Sequence, residues 1–298
     1  MINNKNADMQ KDMDICRETI ENKLHELISE TDSSYATLVE SIRYSLLSGG
    51  KRVRAILCMK FCEAAGGTLE DALNAACAVE MLHTYTLIHD DLPSMDNDEM
   101  RRGKPSNHIA YGEFTAILAG DALQAAAFET LAQSDLPSEA IVKMTQVLAQ
   151  VAGPHGVCGG QYIDLSNEGC PLTIDEISEL HSMKTSALIS AGTRLGVIAG
   201  GGTQEQVMAA DAYAQAVGLA FQVRDDVLDC TATAEELGKP IGSDADNEKS
   251  TFASLLGIGV CEKMVDKETE KAISAIKGKF ENIEFLTWIA KALAERKN

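Results

Sequence analysis

Leu82-His83-Thr84-Tyr85-Thr86-Leu87-Ile88-His89-Asp90-Asp91-Leu92-Pro93-Ser94-Met95-Asp96 is the stretch on which the fold turns. It closes a run from Leu69 to Asp91 that is rich in Ala, Leu and Met and has no strand-like alternation. Three carboxylates then crowd around Pro93, which ends or kinks a helix. Clustered negative charge after an apolar helix is unfavourable unless a cation joins it. A second cluster, Asp225-Asp226-Val227-Leu228-Asp229, closes another apolar helical run, Gln206 to Leu228. Carboxylate oxygens are hard ligands, and Mg²⁺ is usually held by one or two of them together with substrate phosphates. Two such clusters predict a clamp on one phosphorylated substrate.

Outward from this stretch the helical period continues. A loose tail to about Lys11 precedes a helix marked by Ile15, Ile20, Leu24, Leu27 and Ile28. Tyr35 to Leu47 predicts a second helix, stopped by Ser48-Gly49-Gly50. The basic cluster Lys51-Arg52-Val53-Arg54 opens a third, and Arg101-Arg102-Gly103-Lys104-Pro105 reads as a loop before an Ala-rich helix from about Glu113 to Ala132. Val142 to Val151 is helical in pattern, and Thr173-Ile174-Asp175-Glu176 has the capping-box form that starts the helix carrying Lys184 and Thr185. A polar loop from Thr231 to Ser250 holds Gly238-Lys239-Pro240 and Asp244, and two or three short amphipathic helices follow from Phe252. No linker is long or polar enough to part domains. The expectation is one all-α domain over residues 1–298, with 1–11 a flexible tail.

Composition narrows the function classes. With 26 basic against 45 acidic residues, the net charge of −19 argues against nucleic acid or an anionic membrane as the main partner. A hydrophobic content of 45% supplies a large core. Eight cysteines without a CxxC pair sit mostly in apolar runs, as reduced thiols of a cytoplasmic protein do. No stretch reads as a signal peptide or a membrane span.

Spacing gives the carboxylates their geometry. At about 100° per residue, Gln222, Asp225 and Asp229 fall on one helix face, with Gly218 a turn earlier. An isolated pair at this spacing is more often a solvated face, but Phe221, Val223, Val227 and Leu228 surround this one. Asp90 and Asp96 lie about 240° apart on an ideal helix, so they meet only if the chain bends at Pro93. His83 shares the face of Asp90, two turns below; phosphate contact competes there with the commoner reading of a satisfied helical histidine. EF-hand loops from Asp96 and Asp244, a Walker loop at Glu248-Lys249-Ser250-Thr251 or Gly50-Lys51, a GxSxG elbow and an HExxH zinc site all fail on residue identity. Acidic metal holders and scattered cations with no dedicated nucleophile suit ionisation of an allylic diphosphate, where charge grows on the leaving pyrophosphate.

The ordered motifs Gly49-Gly50-Lys51-Arg52-Val53-Arg54, Asp90 to Asp96, Arg101 to Pro105, Gly159-Gly160-Gln161, Lys184-Thr185, Phe221 to Asp229 and Gly238-Lys239 resemble those of short-chain trans-prenyl diphosphate synthases, most closely the bacterial farnesyl diphosphate synthases. The likeness runs from about Ser45 to the C-terminus. It implies the isoprenoid synthase type of orthogonal helical bundle around a central apolar cavity, and a homodimer. It also implies that Asp90, Asp96 and Asp225, supported by Asp91, Asp226 and Asp229, hold about three Mg²⁺ ions per site, with Mn²⁺ able to substitute. By the same likeness Arg101, Lys184 and Lys239 bind the allylic diphosphate. Lys51, Arg54, His83 and Arg102 hold isopentenyl diphosphate, and the Thr185 and Gln222 oxygens stabilise the developing cation. Released pyrophosphate takes the final proton.

The implied reaction is Mg²⁺-dependent condensation of isopentenyl diphosphate with dimethylallyl and then geranyl diphosphate. Tyr85, five residues before Asp90, and the adjacent Thr86 stand where the family limits chain length, and an aromatic there suggests a C15 product. The plainer reading of Tyr85 is a buried aromatic between helices. Alternatives are a C20 geranylgeranyl synthase, a terpene cyclase, a non-catalytic subunit of a longer-chain synthase, or an acidic Mg²⁺/Ca²⁺-binding protein. The basic cluster argues against the cyclase, and two intact acidic clusters argue against the inert subunit. Ala55 and Asn97 depart from the family pattern, which usually has Pro at the first position and acid at the second.

Overall fold

Helix follows helix wherever the apolar period runs. The computed structural model describes residues 2–231 and 250–296, with side chains from residue 6 onward. In order these are α1 (Ile2–Leu27), α2 (Ala36–Leu46), α3 (Val53–Ala64), α4 (Leu73–Asp90), the strands β1 (Met100–Arg101) and β2 (Lys104–Pro105), then α5 (Asn107–Tyr111), α6 (Glu113–Ala132), α7 (Ser138–Ala152), α8 (Val157–Ser166) and α9 (Ile174–His181). A π-helical turn, Ser182–Ser186, leads into α10 (Ala187–Ala199), α11 (Gln204–Thr231), α12 (Phe252–Leu256), α13 (Ile258–Ile276) and α14 (Glu284–Ala294). Lys239, Gly238 and Asp244 lie outside the described residues. No described helix is long and apolar enough to cross a membrane.

The chain divides into two compact units, Met1–Leu148 with Leu195–Gly202, and Ala149–Arg194 with Thr203–Asn298. In the first, α4 packs along α6, and Gly120 makes the approach possible: a Cβ there would lie 2.1 Å from His89 Nε2, whose ring meets Ile117 O at 3.1 Å. In the second, α11 is the central helix. Its Tyr213 is fully buried and donates to Leu286 O at 2.8 Å, tying α14 to it. Burial pushes that phenol well above its usual range. A cluster of Ile177, Val223, Val227, Phe252, Cys261 and Val265 joins α9, α11, α12 and α13.

Two expectations need correction. The N-terminal segment to Lys11 is helical, not loose: it lacks Gly and Pro, Gln10 Nε2 donates to Asp14 Oδ1 at 3.2 Å, and Asp12 meets the buried Lys60 ammonium at 2.7 Å. The basic segment read as a plain loop is a two-strand hairpin, pairing Met100 with Pro105 and Arg101 with Lys104. Arg102 (φ 52°) and Gly103 (φ 74°) both take the left-handed conformation that a two-residue hairpin turn requires. The Thr173 capping box forms as expected, Thr173 N donating to Glu176 Oε2 at 2.8 Å and Glu176 N returning to Thr173 Oγ1 at 3.3 Å.

Candidate active site

In the first unit the chain does bend after Asp90. Leu92 N donates to His89 O at 3.1 Å and Asp96 N to Asp90 O at 2.9 Å, so the turn through Pro93 folds Asp96 back onto the helix end. Asn97 at φ 53° completes the turn, a conformation that Asn tolerates better than most residues, which accounts for its presence in the acidic run. Asp91 is 2% exposed and faces Arg101: Arg101 Nε donates to Oδ1 at 3.0 Å and to Oδ2 at 3.3 Å, and Nη2 to Oδ1, while Asp98 takes a further bond at 3.1 Å. Burial raises the Asp91 carboxyl above its ordinary range, and the Arg101 bonds counter it. Asp91 thus holds a cation in place.

Three groups assigned to isopentenyl diphosphate meet nearby. Arg54, in the first turn of α3, approaches His83 of α4, Nη1 to Nε2 at 3.3 Å. Arg102, on the hairpin turn, donates to Ser48 Oγ at 3.3 Å and to Gly49 O, and its guanidinium lies 3.2 Å from where a Cβ on Gly50 would stand. Burial and the neighbouring Arg54, Arg102, Arg52 and Arg101 hold His83 well below its usual pKa; burial also lowers Arg54 and Arg102. Cations that depress one another stand ready for an anion. Lys51 is exposed beside them in sequence. Arg52 is a different case: 3% exposed, it pairs with Glu80 at 3.2 Å and donates to Leu46 O at 2.6 Å, a structural role.

Tyr85, 5% exposed, sets its ring edge-on to His89 at 5.7 Å, one turn on and therefore on the face of α4 that meets α6. Thr86, 7% exposed, spends its hydroxyl on His83 O at 2.8 Å.

In the second unit Lys184 and Thr185 sit on the π-helical turn, a local widening that often marks functional sites. Lys184 Nζ reaches Asp164 Oδ2 at 2.5 Å, and Thr185 Oγ1 donates to Gln222 Oε1 at 3.3 Å. Gly160 lets α8 lie against this turn, since a Cβ would come 2.6 Å from Lys184 N. Lys184, Thr185, Gln222, Asp164 and Asp226 share the wall of a cavity of about 190 Å³. Asp226 is 3% exposed and accepts from Phe252 N at 2.8 Å, which docks α12. Asp229 is buried a turn beyond Asp225. Asp225 is bonded by Arg296, whose guanidinium carbon lies 3.7 Å from the centre of the Phe221 ring.

The donor set fits Mg²⁺ held jointly with phosphate. Asp96 Oδ1 is buried without a hydrogen-bond partner, an orphaned hard oxygen. Among the described residues no three carboxylate, imidazole or thiol groups are gathered as a ready metal cage. Three residues of interest were absent from the expected site. Asp164 has a faint signal, one helical turn past Gly160. Gln161, 7% exposed with both amide atoms unpaired, belongs to the Gly159-Gly160-Gln161 motif, whose pattern gives it no role. Arg296 has no local signal, because its partner is 71 residues away.

Residues 35–292 match the family model described as Polyprenyl synthetase. A geranylgeranyl diphosphate synthase of Cyanophora paradoxa is 47% identical over 259 residues, 86% of each chain. Geranylgeranyl pyrophosphate synthase 3, chloroplastic, of Arabidopsis thaliana is 46% identical over 248 residues, 81% of this chain and 69% of that one. Among solved structures, the geranylgeranyl pyrophosphate synthetase of Pyrococcus horikoshii superposes with a TM-score of 0.89 at 33% identity, over 96% of this chain and 99% of the other. An FPP/GFPP synthase from Zymomonas mobilis gives 0.87 at 32% identity, over 97% and 99%. The all-α fold is the isoprenoid synthase fold of these neighbours.

Proposed function

We propose that this chain, which belongs to the polyprenyl synthetase family and is a prenyltransferase, condenses isopentenyl diphosphate with an allylic diphosphate, releasing pyrophosphate. The observation that carries the reading is the set of Arg54, His83 and Arg102, the first two half-buried and the third exposed on the hairpin turn, cations and a neutral imidazole placed for one diphosphate, in a chain that keeps separate acidic clusters for another.

Bound Mg²⁺, held through Asp90, Asp96 and Asp225 with Asp229 in support, would neutralise charge on the leaving pyrophosphate. Arg101, aimed by Asp91, adds a fixed cation to that charge, and Lys184, aimed by Asp164, adds a second. Lys239 is proposed for the same diphosphate by resemblance. The Thr185 and Gln222 oxygens, locked together, offer dipoles to the allylic cation. Arg54, Arg102, His83 and Lys51 hold isopentenyl diphosphate so that its double bond meets that cation, an orientation gain worth several kcal/mol.

On product length two observations diverge. The curated relatives named above are geranylgeranyl synthases at 46–47% identity, which favours a C20 product and corrects the emphasis on C15. The buried phenol of Tyr85 favours C15 as the second reading. A homodimer is supported by an exposed apolar face on α6, where Phe114 is 73%, Ile117 44% and Leu118 49% exposed at helical spacing. Eight free cysteines suit a reducing compartment such as the cytoplasm.

The deciding experiment incubates purified protein with isopentenyl and dimethylallyl diphosphates and Mg²⁺, then sizes dephosphorylated products by chromatography. A C20 alcohol supports the leading reading and a C15 alcohol the second. No allylic product at all would remove the prenyltransferase assignment.

A further inference from the structure

The Arg296 contact at Asp225 belongs to none of the roles above. Three α11 residues at i, i+3 and i+4 converge on it. Arg296 Nη2 donates to Phe221 O at 3.2 Å and to Asp225 Oδ1, its guanidinium covers the Phe221 ring, and its own carbonyl accepts from Arg224 Nε at 3.1 Å. The Arg296 side chain is 13% exposed and its Nε is buried without a partner, so the guanidinium is held by charge and stacking more than by a complete set of bonds. It lies just past the C-cap Glu295 of the helix Glu284–Ala294, outside regular structure.

We infer that Arg296 is a positioning residue that serves as the internal counter-ion of Asp225 and sets the metal concentration at which the second acidic cluster loads. The inference rests on the proposal that Asp225 is a metal ligand. Oδ1 cannot accept the guanidinium and also approach a divalent cation at about 2.1 Å without placing like charges a few ångströms apart. Loading therefore displaces Arg296 from Asp225. Until then the arginine keeps the carboxylate compensated and aimed along the face that carries Asp229.

The test reads metal binding rather than turnover. Thermal melts of the full chain are recorded against Mg²⁺ at fixed inorganic pyrophosphate, for wild type, Arg296→Gln, Arg296→Lys and a chain ending at Glu295. The expected result is a Mg²⁺ midpoint roughly three- to tenfold lower for Arg296→Gln and for the shortened chain, with Arg296→Lys near wild type. Hydrogen exchange in residues 284–296 of the wild type should rise when Mg²⁺ and pyrophosphate are added together. Unchanged or higher midpoints in Arg296→Gln, or variants that only melt earlier in EDTA, would overturn the counter-ion role. A wild type whose melting ignores Mg²⁺ with pyrophosphate would instead remove the metal reading of Asp225, and the inference with it.

Discussion

Arg54 and His83 stand Nη1 to Nε2 at 3.3 Å, a guanidinium against an imidazole, with Arg102, Arg52 and Arg101 also acting on the ring. Burial and these four cations depress the histidine pKa well below 6.5, so the folded imidazole is neutral at pH 7. The unfolded chain then binds the extra proton as pH drops. Stability is fully present above about pH 6.5 and is lost on going below it, by up to about 1.4 kcal/mol per pH unit while the folded ring stays neutral. Urea unfolding of wild type and His83→Gln at pH 7.5 and 5.5 checks this. The wild type should lose more stability between the two pH values than the variant does.

Gly50 couples backbone to substrate binding. At φ 133°, with Arg102 3.2 Å from the site of a Cβ, Gly50→Ala strains the loop and pushes the guanidinium aside. The expected result is a KM for isopentenyl diphosphate raised about tenfold with a smaller change in kcat, and a stability loss of about 1–2 kcal/mol. Steady-state kinetics with saturating allylic substrate separates the two.

Tyr85→Ala removes a buried aromatic five residues below Asp90. Product chains should lengthen relative to the wild-type product, whichever length that is, and the melt should shift for a loss of about 3 kcal/mol. Radiolabelled products resolved by chromatography give the answer; an unchanged length would assign Tyr85 to packing alone.

Chelation with EDTA should abolish turnover, and Mg²⁺ or Mn²⁺ should restore it. Asp90→Ala and Asp225→Ala should each lower kcat by about 10³ or more without comparable loss of fold, judged by circular dichroism. Wild-type rates in either variant would sink the metal assignment.

Phe114→Asp places a charge on the exposed apolar face of α6. Sedimentation velocity should show a wild-type dimer and a variant shifted to monomer, since a buried unpaired charge costs several kcal/mol at an interface.

Much of the fold was legible because an apolar period of 3.6 is a local property. Most helices began and stopped within a few residues of their sequence signals, and the Thr173 box formed as written. The first turns of α1, up to Lys11, read as a loose tail because polar residues without Gly or Pro can be helical with little apolar period, and the hairpin reads as a loop because its strands are two residues long. At the site, residue types and spacing singled out the carboxylate clusters of Asp90 to Asp96 and Asp225 to Asp229, while the roles of Lys184 and Arg54 rest on the family resemblance. Ala55 is fully buried at the start of α3, so the usual Pro is not needed to begin that helix.

The sequence by itself determined an all-α chain with two acidic clusters, a basic cluster and the chemistry of a diphosphate site, because charge type and helical spacing are written residue by residue. Only the tertiary structure decided which cation serves which carboxylate. Arg101 with Asp91, Lys184 with Asp164 and Arg296 with Asp225 are pairs between separate elements or across a bend, 10, 20 and 71 residues apart. Such pairs depend on where helices cross and how closely glycines let them approach, and no local periodicity contains that information.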